Sequence, residues 1–386
     1  MISMGFQYVR VNQLLKDRRI ITITPSIKLQ NDDINDNGKT AVISQDQEFI
    51  IGYTDLVDEK LTSGPFTVFG DHTEIFKYID FPFAQGADGI KIIKADDKTI
   101  DSKYLFYSLK NCYYPTGFYQ RHFKLLKKTY VPELDIIHQK QIATVLGNYD
   151  QLIENNNKRI QLLESMTEEL YKEWFIRFRF PGYRSVDTKK QSAKGWCFGD
   201  REDGQFIPVD WNFSELTETA EFKRGKNITS SEMVDGEVPV IAAGLEPSGY
   251  HNDSNVKGYN LTISASGANA GFLAYHLEDI WAADCSYYQN DDNIWFVYNA
   301  LKFLQPVISN MQVGSAQPHV YAKNINRIST IKPSNEWVQK YEEKVNPIYE
   351  EIKNIKEKNV LLTKQRDALL PRLMSGKLSV EGKEVI

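Results

Sequence analysis

The chain has 386 residues, of which 41 % are hydrophobic and 12 % aromatic, a composition that argues against disorder and suffices for two or three domains. Its formal charge is −5 at pH 7, whereas nucleic-acid-binding domains are more often strongly basic, so a role on DNA must depend on local basic patches or on a partner. The three cysteines lie far apart without a Cys-x-x-Cys pair, which argues against zinc ribbons and disulfide frameworks and suits a reducing cytoplasm. We expect no membrane span, because no apolar run reaches about 18 residues.

Residues 1–135 are predicted to form a first globular segment, because short β-like runs such as 66–69 alternate there with turn signals. A long helix is predicted in residues 136–180, and the Pro181-Gly182 pair that follows ends it. Residues 181–205 are polar and rich in glycine, and are interpreted as a linker.

A second globular segment is predicted in residues 206–333, with strand-like runs at 238–243 and 261–264. A second long helix is predicted in residues 334–376, stopping near Pro371-Arg372, and a short polar tail follows in residues 377–386. The order of elements predicts an α+β fold, with two globular α/β domains separated by two long helices.

Both long helices carry an apolar seam that steps by alternating threes and fours, the period of a coiled coil. The seam of the first helix is Ile142, Leu146, Tyr149, Ile153, Asn156, Ile160, Leu163, Thr167, Leu170 and Trp174. The seam of the second helix is Val338, Tyr341, Val345, Ile348, Ile352, Ile355, Asn359, Leu362, Arg366, Leu369 and Leu373. Because the two seams superpose at an offset of roughly 200 residues, the chain is interpreted as a pseudo-two-fold internal repeat.

The two helices are predicted to form an intramolecular antiparallel coiled-coil pair; the alternative is that each packs in its own bundle or dimerises with another chain. Antiparallel alignment of the full spans places Asn156 within about one turn of Asn359. Since a polar Asn at a core position costs stability but fixes register, we expect these two side chains to be neighbours that set the register. The four polar seam residues, Asn156, Thr167, Asn359 and Arg366, could also bend or loosen the pair locally.

Motifs for catalysis are missing from the sequence. There is no GxGxxG or GxxxxGK[ST] loop, no NPPY-like or DPPY-like tetrapeptide, and no histidine spacing typical of a metal site. Asp71 and His72 could suggest a catalytic pair, but neighbours in a strand point to opposite faces, so a structural turn is predicted there. No catalytic residue and no metal ligand is therefore assigned.

Basic residues cluster near both ends of each globular segment, where they could neutralise DNA phosphates; the alternative is a solvated surface. The DNA-binding candidates of the first segment are Lys16, Arg18, Arg19, Arg121, Lys124, Lys127 and Lys128. Those of the second segment are Lys223, Arg224, Lys226, Lys323 and Arg327. Two loops of small and polar residues add Ser266, Asn269, Ser315 and Gln317. Such loops allow close approach to phosphates or base edges, although tight turns explain them about as well.

Three segments carry a family resemblance in their order: residues 138–150 (HQKQIATVLGNYD), 206–211 (FIPVDW) and 369–378 (LLPRLMSGKL). They are similar to the start of the central helix, the start of a target-recognition domain and the end of the distal helix in the specificity (S) subunit of type I restriction-modification enzymes. Residues 68–73 and 87–89 resemble strand segments inside such domains. The resemblance covers essentially the whole chain.

The resemblance implies two target-recognition domains that each read one half of a split, asymmetric double-stranded DNA sequence, with the helices setting the gap. It also implies that the chain itself catalyses nothing. Two modification (M) subunits would methylate adenine N6 with S-adenosylmethionine, and two restriction (R) subunits would add translocation and cleavage driven by ATP with Mg. The alternatives are a coiled-coil scaffold without DNA recognition, or an enzyme whose cofactor loop is not recognisable.

Overall fold

The computed structural model of the chain describes residues 7–86, 89–116, 121–191, 205–313 and 318–378. The chain divides into two compact units: unit 1 comprises Met1–Asn155 with Lys358–Ile386, and unit 2 comprises Asn156–Glu357. Helices and sheets occur in both units, so the α+β composition predicted from the sequence is confirmed. Among the described helices, none has the length and apolar character needed to cross a membrane.

Unit 1 combines short strands with helices that follow them in the chain. Its strands are β1 (Gln7–Arg10), β2 (Ile20–Ile23), β3 (Thr40–Ile43), β4 (Gly52–Thr54), β5 (Phe66–Gly70), β6 (Phe76–Ile79), β7 (Phe83–Gln85), β8 (Ile90–Ala95) and β9 (Tyr130–Glu133). Its helices are α1 (Val11–Lys16), α2 (Ser102–Cys112), α3 (Phe123–Leu126) and the first half of the long helix α4 (Ile136–Tyr171).

Unit 2 has a similar order of elements. Its strands are β10 (Thr188–Gln191), β11 (Gln205–Pro208), β12 (Asn212–Glu215), β13 (Lys223–Arg224), β14 (Val238–Ile241), β15 (Gly249–His251), β16 (Asn260–Ser264), β17 (Leu273–His276), β18 (Trp281–Ala282), β19 (Cys285–Tyr288) and β20 (Ser329–Lys332). Its helices are the second half of α4, α5 (Ile294–Phe303), α6 (Gln305–Ser309), α7 (Ala322–Ile325) and most of the long helix α8 (Asn335–Met374), whose end belongs to unit 1.

Three sheets of unit 2 repeat the three sheets described in unit 1. The strand orders in unit 1 are β2-β8-β5-β6, β4-β3-β7 and β1-β9, and those in unit 2 are β13-β19-β16-β17, β15-β14-β18 and β12-β20. In each three-stranded sheet one neighbour is antiparallel and the other parallel. Connecting hydrogen bonds repeat as well: the Asp71 amide donates to the Gly89 carbonyl at 2.7 Å in unit 1, and the Ala265 amide donates to the Asp284 carbonyl at 3.2 Å in unit 2. The duplication inferred from the seams is therefore visible in strand order and hydrogen bonding.

Within unit 2, the α4 and α8 segments run antiparallel through an aromatic cluster. Trp174 meets Trp337 with ring centroids 6.0 Å apart, and Tyr171 meets Tyr341 at 6.2 Å. Further back along α4, the Arg159 guanidinium pairs at 2.8 Å with a glutamate later in α8. As the residue numbers fall along the first helix, those of its contacts in α8 rise, so the two segments are antiparallel.

Within unit 1, the same direction holds. Leu146 of α4 and Leu370 and Leu373 of α8 are buried in one cluster on α2, and Asp150 accepts a hydrogen bond of 2.6 Å from the Arg366 guanidinium. Every seam residue of both helices is buried or half-buried, which agrees with the heptad assignment.

Two of the four polar seam residues, Thr167 and Arg366, form hydrogen bonds with the other long helix. Thr167 is fully buried, its hydroxyl lies 3.0 Å from that of Tyr349, and its carbonyl accepts a hydrogen bond of 3.0 Å from Tyr341. The Arg366 guanidinium donates its hydrogen bond of 2.6 Å to the Asp150 carboxylate. Polar side chains that are hydrogen-bonded within the seam favour one alignment of the two helices and do not weaken their packing.

Asn156 belongs to unit 2 and Asn359 belongs to unit 1. The role of this asparagine pair in setting the register of the helices therefore stays a prediction.

Three local details differ from or refine the sequence interpretation. The helix of α4 changes into a π-helical turn at Lys172–Ile176, and α8 continues through Pro371 because the buried side chains of its last turn pack on α2. The predicted linker contains strand β10, which pairs with β11; linker residues 192–204 and tail residues 379–386 lie outside the described part of the chain. The residues after β5, including Asp71 and His72, form the expected turn.

Candidate nucleic-acid interface

In unit 1, hydrogen bonds join the early basic cluster to the late one. The first two amides of α1 donate to carbonyls of the segment after α3: Val11 to Thr129 and Asn12 to Lys127, both at 2.9 Å. The exposed candidates are Lys16, Arg18, Arg121, Lys124 and Lys128. Both clusters therefore lie on adjacent elements of one unit.

The two remaining cations of unit 1 are half-buried and engaged within the unit. Arg19 forms an ion pair with Glu133, and the Lys127 ammonium lies 5.2 Å from the ring centroid of Phe123. A phosphate would have to compete with these contacts, so Arg19 and Lys127 are weaker candidates for DNA contact than their exposed neighbours.

In unit 2, the side chain of Asn326 joins the corresponding basic clusters. Its amide nitrogen donates to the Phe222 carbonyl at 3.0 Å, and its oxygen accepts from the Phe222 amide at 2.8 Å. Phe222 directly precedes Lys223 in β13, while exposed Lys323 and Arg327 flank Asn326. The half-buried side-chain amide of Asn326 thus holds the early and late cations of unit 2 on neighbouring backbone segments.

Two predicted residues, Arg224 and Ser266, meet at a third that the sequence did not indicate. The Arg224 guanidinium donates to one carboxylate oxygen of Asp284, and the Ser266 hydroxyl donates to the other. The exposed fractions of the Arg224 and Asp284 side chains are 49 % and 29 %, while Ser266 is 8 % exposed. The cluster runs from a buried hydroxyl to an exposed cation.

Asp284 is held in its ionised form. Partial burial alone would raise the pKa of its carboxyl, but the hydrogen bonds from Ser266 and Arg224 and the nearby His319 outweigh burial and bring the pKa below its ordinary value. The carboxylate therefore keeps its charge, and the ion pair with Arg224, at neutral pH.

Aromatic rings border the same cluster. The Trp281 indole donates at 2.8 Å to the carbonyl of Lys226, whose ammonium lies 5.9 Å from the Trp281 ring centroid. The backbone of His319 bridges to that of Ser266, and the ring of His319 is stacked on that of Tyr321, with centroids 6.0 Å apart and Tyr321 55 % exposed. Cations, the Asp284 carboxylate and aromatic rings therefore lie close together in unit 2.

The loop after β16 is a tight turn rather than an open arm. Gly267 and Gly271 have φ of 76° and 86°, a left-handed conformation that favours glycine, and the Asn269 carbonyl accepts from the Phe272 amide at 2.9 Å. Asn269 is half-buried and the Ser266 hydroxyl is turned inward to Asp284. The candidates Ser315 and Gln317 of the other loop lie outside the described residues.

The equivalent positions of unit 1 carry different chemistry. The matching ladders and hydrogen bonds align Arg224 with Thr24 and Asp284 with Gly89, so unit 1 lacks the arginine–aspartate pair at this place. Sequence reasoning missed Asp284 because it stands alone in the segment WAADCS, and only the pairing of β13 with β19 brings it to Arg224.

Comparison with known proteins shows similarity to specificity subunits of type I restriction enzymes. Residues 208–363 match the protein-family model described as type I restriction modification DNA specificity domain. The chain is 26 % identical over 281 residues to the type I restriction enzyme MjaIX specificity subunit of Methanocaldococcus jannaschii, an alignment covering 66 % of this chain and 62 % of that protein. It is 28 % identical over 156 residues to the MjaVIII specificity subunit of the same organism, covering 39 % and 33 %. The chain thus spans less than two thirds of the length of these relatives.

A solved structure has a similar fold. The S subunit of a type I restriction-modification system from M. genitalium aligns with a TM-score of 0.53 and 19 % identity, over 97 % of this chain and 98 % of that one. The resemblance to specificity subunits inferred from the sequence is confirmed by the family match and the curated relatives.

Proposed function

We propose that this relative of the type I restriction enzyme specificity subunits is the DNA-recognition subunit of a type I restriction-modification complex. Residues 1–135 and 206–333 would be target-recognition domains, each reading one half of a bipartite asymmetric sequence in double-stranded DNA. The helices in residues 136–180 and 334–376 would be the spacer and the platform for other subunits, with 181–205 as linker and 377–386 as tail.

The observation that carries this proposal is the duplicated fold with unequal chemistry. Two units repeat the same strand orders, yet Arg224 and Asp284 of one unit stand where the other has Thr24 and Gly89. Identical frames with different surface groups suit two half-sites of different sequence, because base readout depends on the side chains presented to the groove.

The proposed partners are two M subunits and two R subunits, in the cytoplasm, where they would supply methylation, ATP-driven translocation and cleavage. S-adenosylmethionine, ATP and Mg would bind to those partners. Exposed apolar residues on the helices, Leu162 and Met166 of α4 and Val360 and Leu361 of α8, support a docking role, because their side chains are 52–66 % exposed.

The first experiment is to co-express the chain with its M subunit and sequence the host DNA for N6-methyladenine. A bipartite asymmetric motif with a fixed gap is the expected result. A stable complex that methylates no new motif would contradict DNA recognition and favour the coiled-coil scaffold.

Phosphate contacts are tested by the salt dependence of DNA binding. Lys223→Ala should weaken binding to all sequences alike and lower the slope of log K against log salt by about one unit. The matched control is Lys344→Ala, on the exposed face of α8. A slope for Lys223→Ala equal to that of the control would assign Lys223 to the solvated surface.

The spacer role is tested by paired insertions of seven residues, one after Asn155 in α4 and one after Glu357 in α8. Whole heptads preserve the seam, so the gap of the methylated motif should lengthen while both half-sites stay unchanged. A changed half-site sequence with an unchanged gap would contradict the spacer role. Insertion of seven residues in the tail after Gly376 is the control.

A further inference from the structure

We propose that Asp284 is a positioning residue that orients the Arg224 guanidinium to read a guanine in the half-site of unit 2, with Ser266 holding Asp284 in turn. This inference rests on the proposed function and names one base of the target and the residues that read it.

The carboxylate of Asp284 joins the buried hydroxyl of Ser266 to the half-exposed side chain of Arg224. One oxygen accepts from Ser266, whose own backbone bridges to His319 and whose side chain is almost fully buried. The other oxygen accepts from the terminal nitrogen of Arg224. A long, half-exposed arginine side chain is thereby tied to the interior, which lowers the entropy lost when its guanidinium meets a base.

The backbone under Arg224 is fixed as well. Strand β13 pairs with β19, and the amides after it donate at 2.9 Å, Gly225 to the Cys285 carbonyl and Lys226 to the Ala282 carbonyl. A Cβ on Gly225 would lie 2.4 Å from the Ala283 carbonyl oxygen, so only glycine allows this approach. Both ends of the Arg224 side chain are therefore held.

The paired carboxylate favours a base edge over a phosphate as the ligand. An ionised Asp284 beside a phosphate would repel it, whereas a guanine edge offers the neutral acceptors O6 and N7 to the planar guanidinium. With one nitrogen of Arg224 bonded to Asp284, its other N–H groups stay in one plane for such a bidentate contact. The exposed Lys223 beside Arg224 suits a phosphate instead.

The test uses the full chain assembled with its M subunit and compares Asp284→Asn, Arg224→Ala and the control Glu218→Gln. Glu218 pairs with Lys332 on the exposed surface of the same unit, so its variant also loses one carboxylate of an ion pair. Readouts are the methylated motif and the affinities for the target and for duplexes with one base pair changed, at two salt concentrations.

Arg224→Ala should lower discrimination at one guanine of one half-site by about 5- to 150-fold, the range for a bidentate contact. Asp284→Asn should relax the same position, by about tenfold, with the salt slope and the other half-site unchanged and the Glu218→Gln complex unaltered. Ser266→Ala should relax that position to a smaller extent, while thermal unfolding of each variant checks that unit 2 is folded.

Three results would overturn the inference: a unit 2 half-site without a G·C pair, unchanged discrimination in Asp284→Asn when Arg224→Ala has lost it, or equal weakening on all duplexes. Failure of the proposed function itself is distinguishable, because the wild-type complex would then methylate no bipartite motif.

Discussion

Glu342 of α8 gives unit 2 a stability that depends on pH. The residue is 4 % exposed, and its carboxylate caps α5 by accepting from the backbone amide of Phe296 at 2.7 Å and from that of Trp295. Burial raises the pKa of Glu342 from 4.5 to about 8, although these backbone hydrogen bonds lower it in part. The native state therefore binds a proton more tightly than the unfolded chain does.

The sign and size of the effect follow from proton linkage. Between pH 4.5 and about 8 the native state holds more protons than the unfolded state, so stability falls as pH rises. At 1.36 kcal/mol per pKa unit, we expect the free energy of unfolding to fall by about 3 kcal/mol between pH 5 and pH 8 through this residue. That corresponds to roughly 6 to 12 °C in Tm for a unit of this size.

The assay is the unfolding of wild type, Glu342→Gln and Glu343→Gln in denaturant across pH 5 to 8.5. Glutamine keeps an acceptor for the α5 amides but carries no charge, so Glu342→Gln should lose this part of the pH slope and exceed wild type in stability by about 3 kcal/mol at pH 7. Glu343 is exposed on the next position of the same helix, and its variant should follow wild type. Parallel curves for Glu342→Gln and wild type would refute the reasoning.

Three further substitutions test the seam and the β13 region. Tyr349→Phe removes the hydroxyl shared with buried Thr167 and should destabilise unit 2 by about 1–2 kcal/mol in denaturant unfolding; an unchanged midpoint would show that this network adds nothing to stability. Arg366→Ala leaves Asp150 without its ion pair and should lower the stability of unit 1 by about 1 kcal/mol. The same substitution made in the Asp150→Asn variant should cause no further loss, whereas losses that add in the double variant would exclude coupling between the two residues. Gly225→Ala should displace β13 and weaken DNA binding at one half-site, and a wild-type affinity for that half-site would contradict this.

The two long helices were predictable from the sequence, because the heptad pattern depends only on the spacing of apolar residues along the chain. The heptad steps identified both long helices, and the equal offset of the seams indicated the duplication that the strand orders repeat. The ends were less predictable: Pro371 stays helical because Leu370 and Leu373 are buried against α2, a tertiary contact that outweighs the local signal.

The candidate site was predictable only in part. Lys223, Arg224 and Ser266 were indicated by charge and loop composition, but the partner that joins two of them, Asp284, lies 60 residues from Arg224 and 18 from Ser266. Likewise the buried position of Thr167 could not be predicted from its polarity, because its partners beyond α4 itself come from α8 and α5. Composition indicates which residue types are present, whereas strand pairing decides which of them meet.

The division of the chain has a consequence for the order of folding. Unit 2 is one continuous stretch, whereas unit 1 needs Asp150 and Leu146 from before unit 2 and Arg366 and Leu370 from after it. At about 5–20 residues per second of synthesis, the apolar face of the first half of α4 waits on the order of 10 to 40 s for its partner. Through that interval the nascent chain presents an uncovered hydrophobic stripe, so we expect slow or truncated synthesis to favour aggregation or capture by a chaperone.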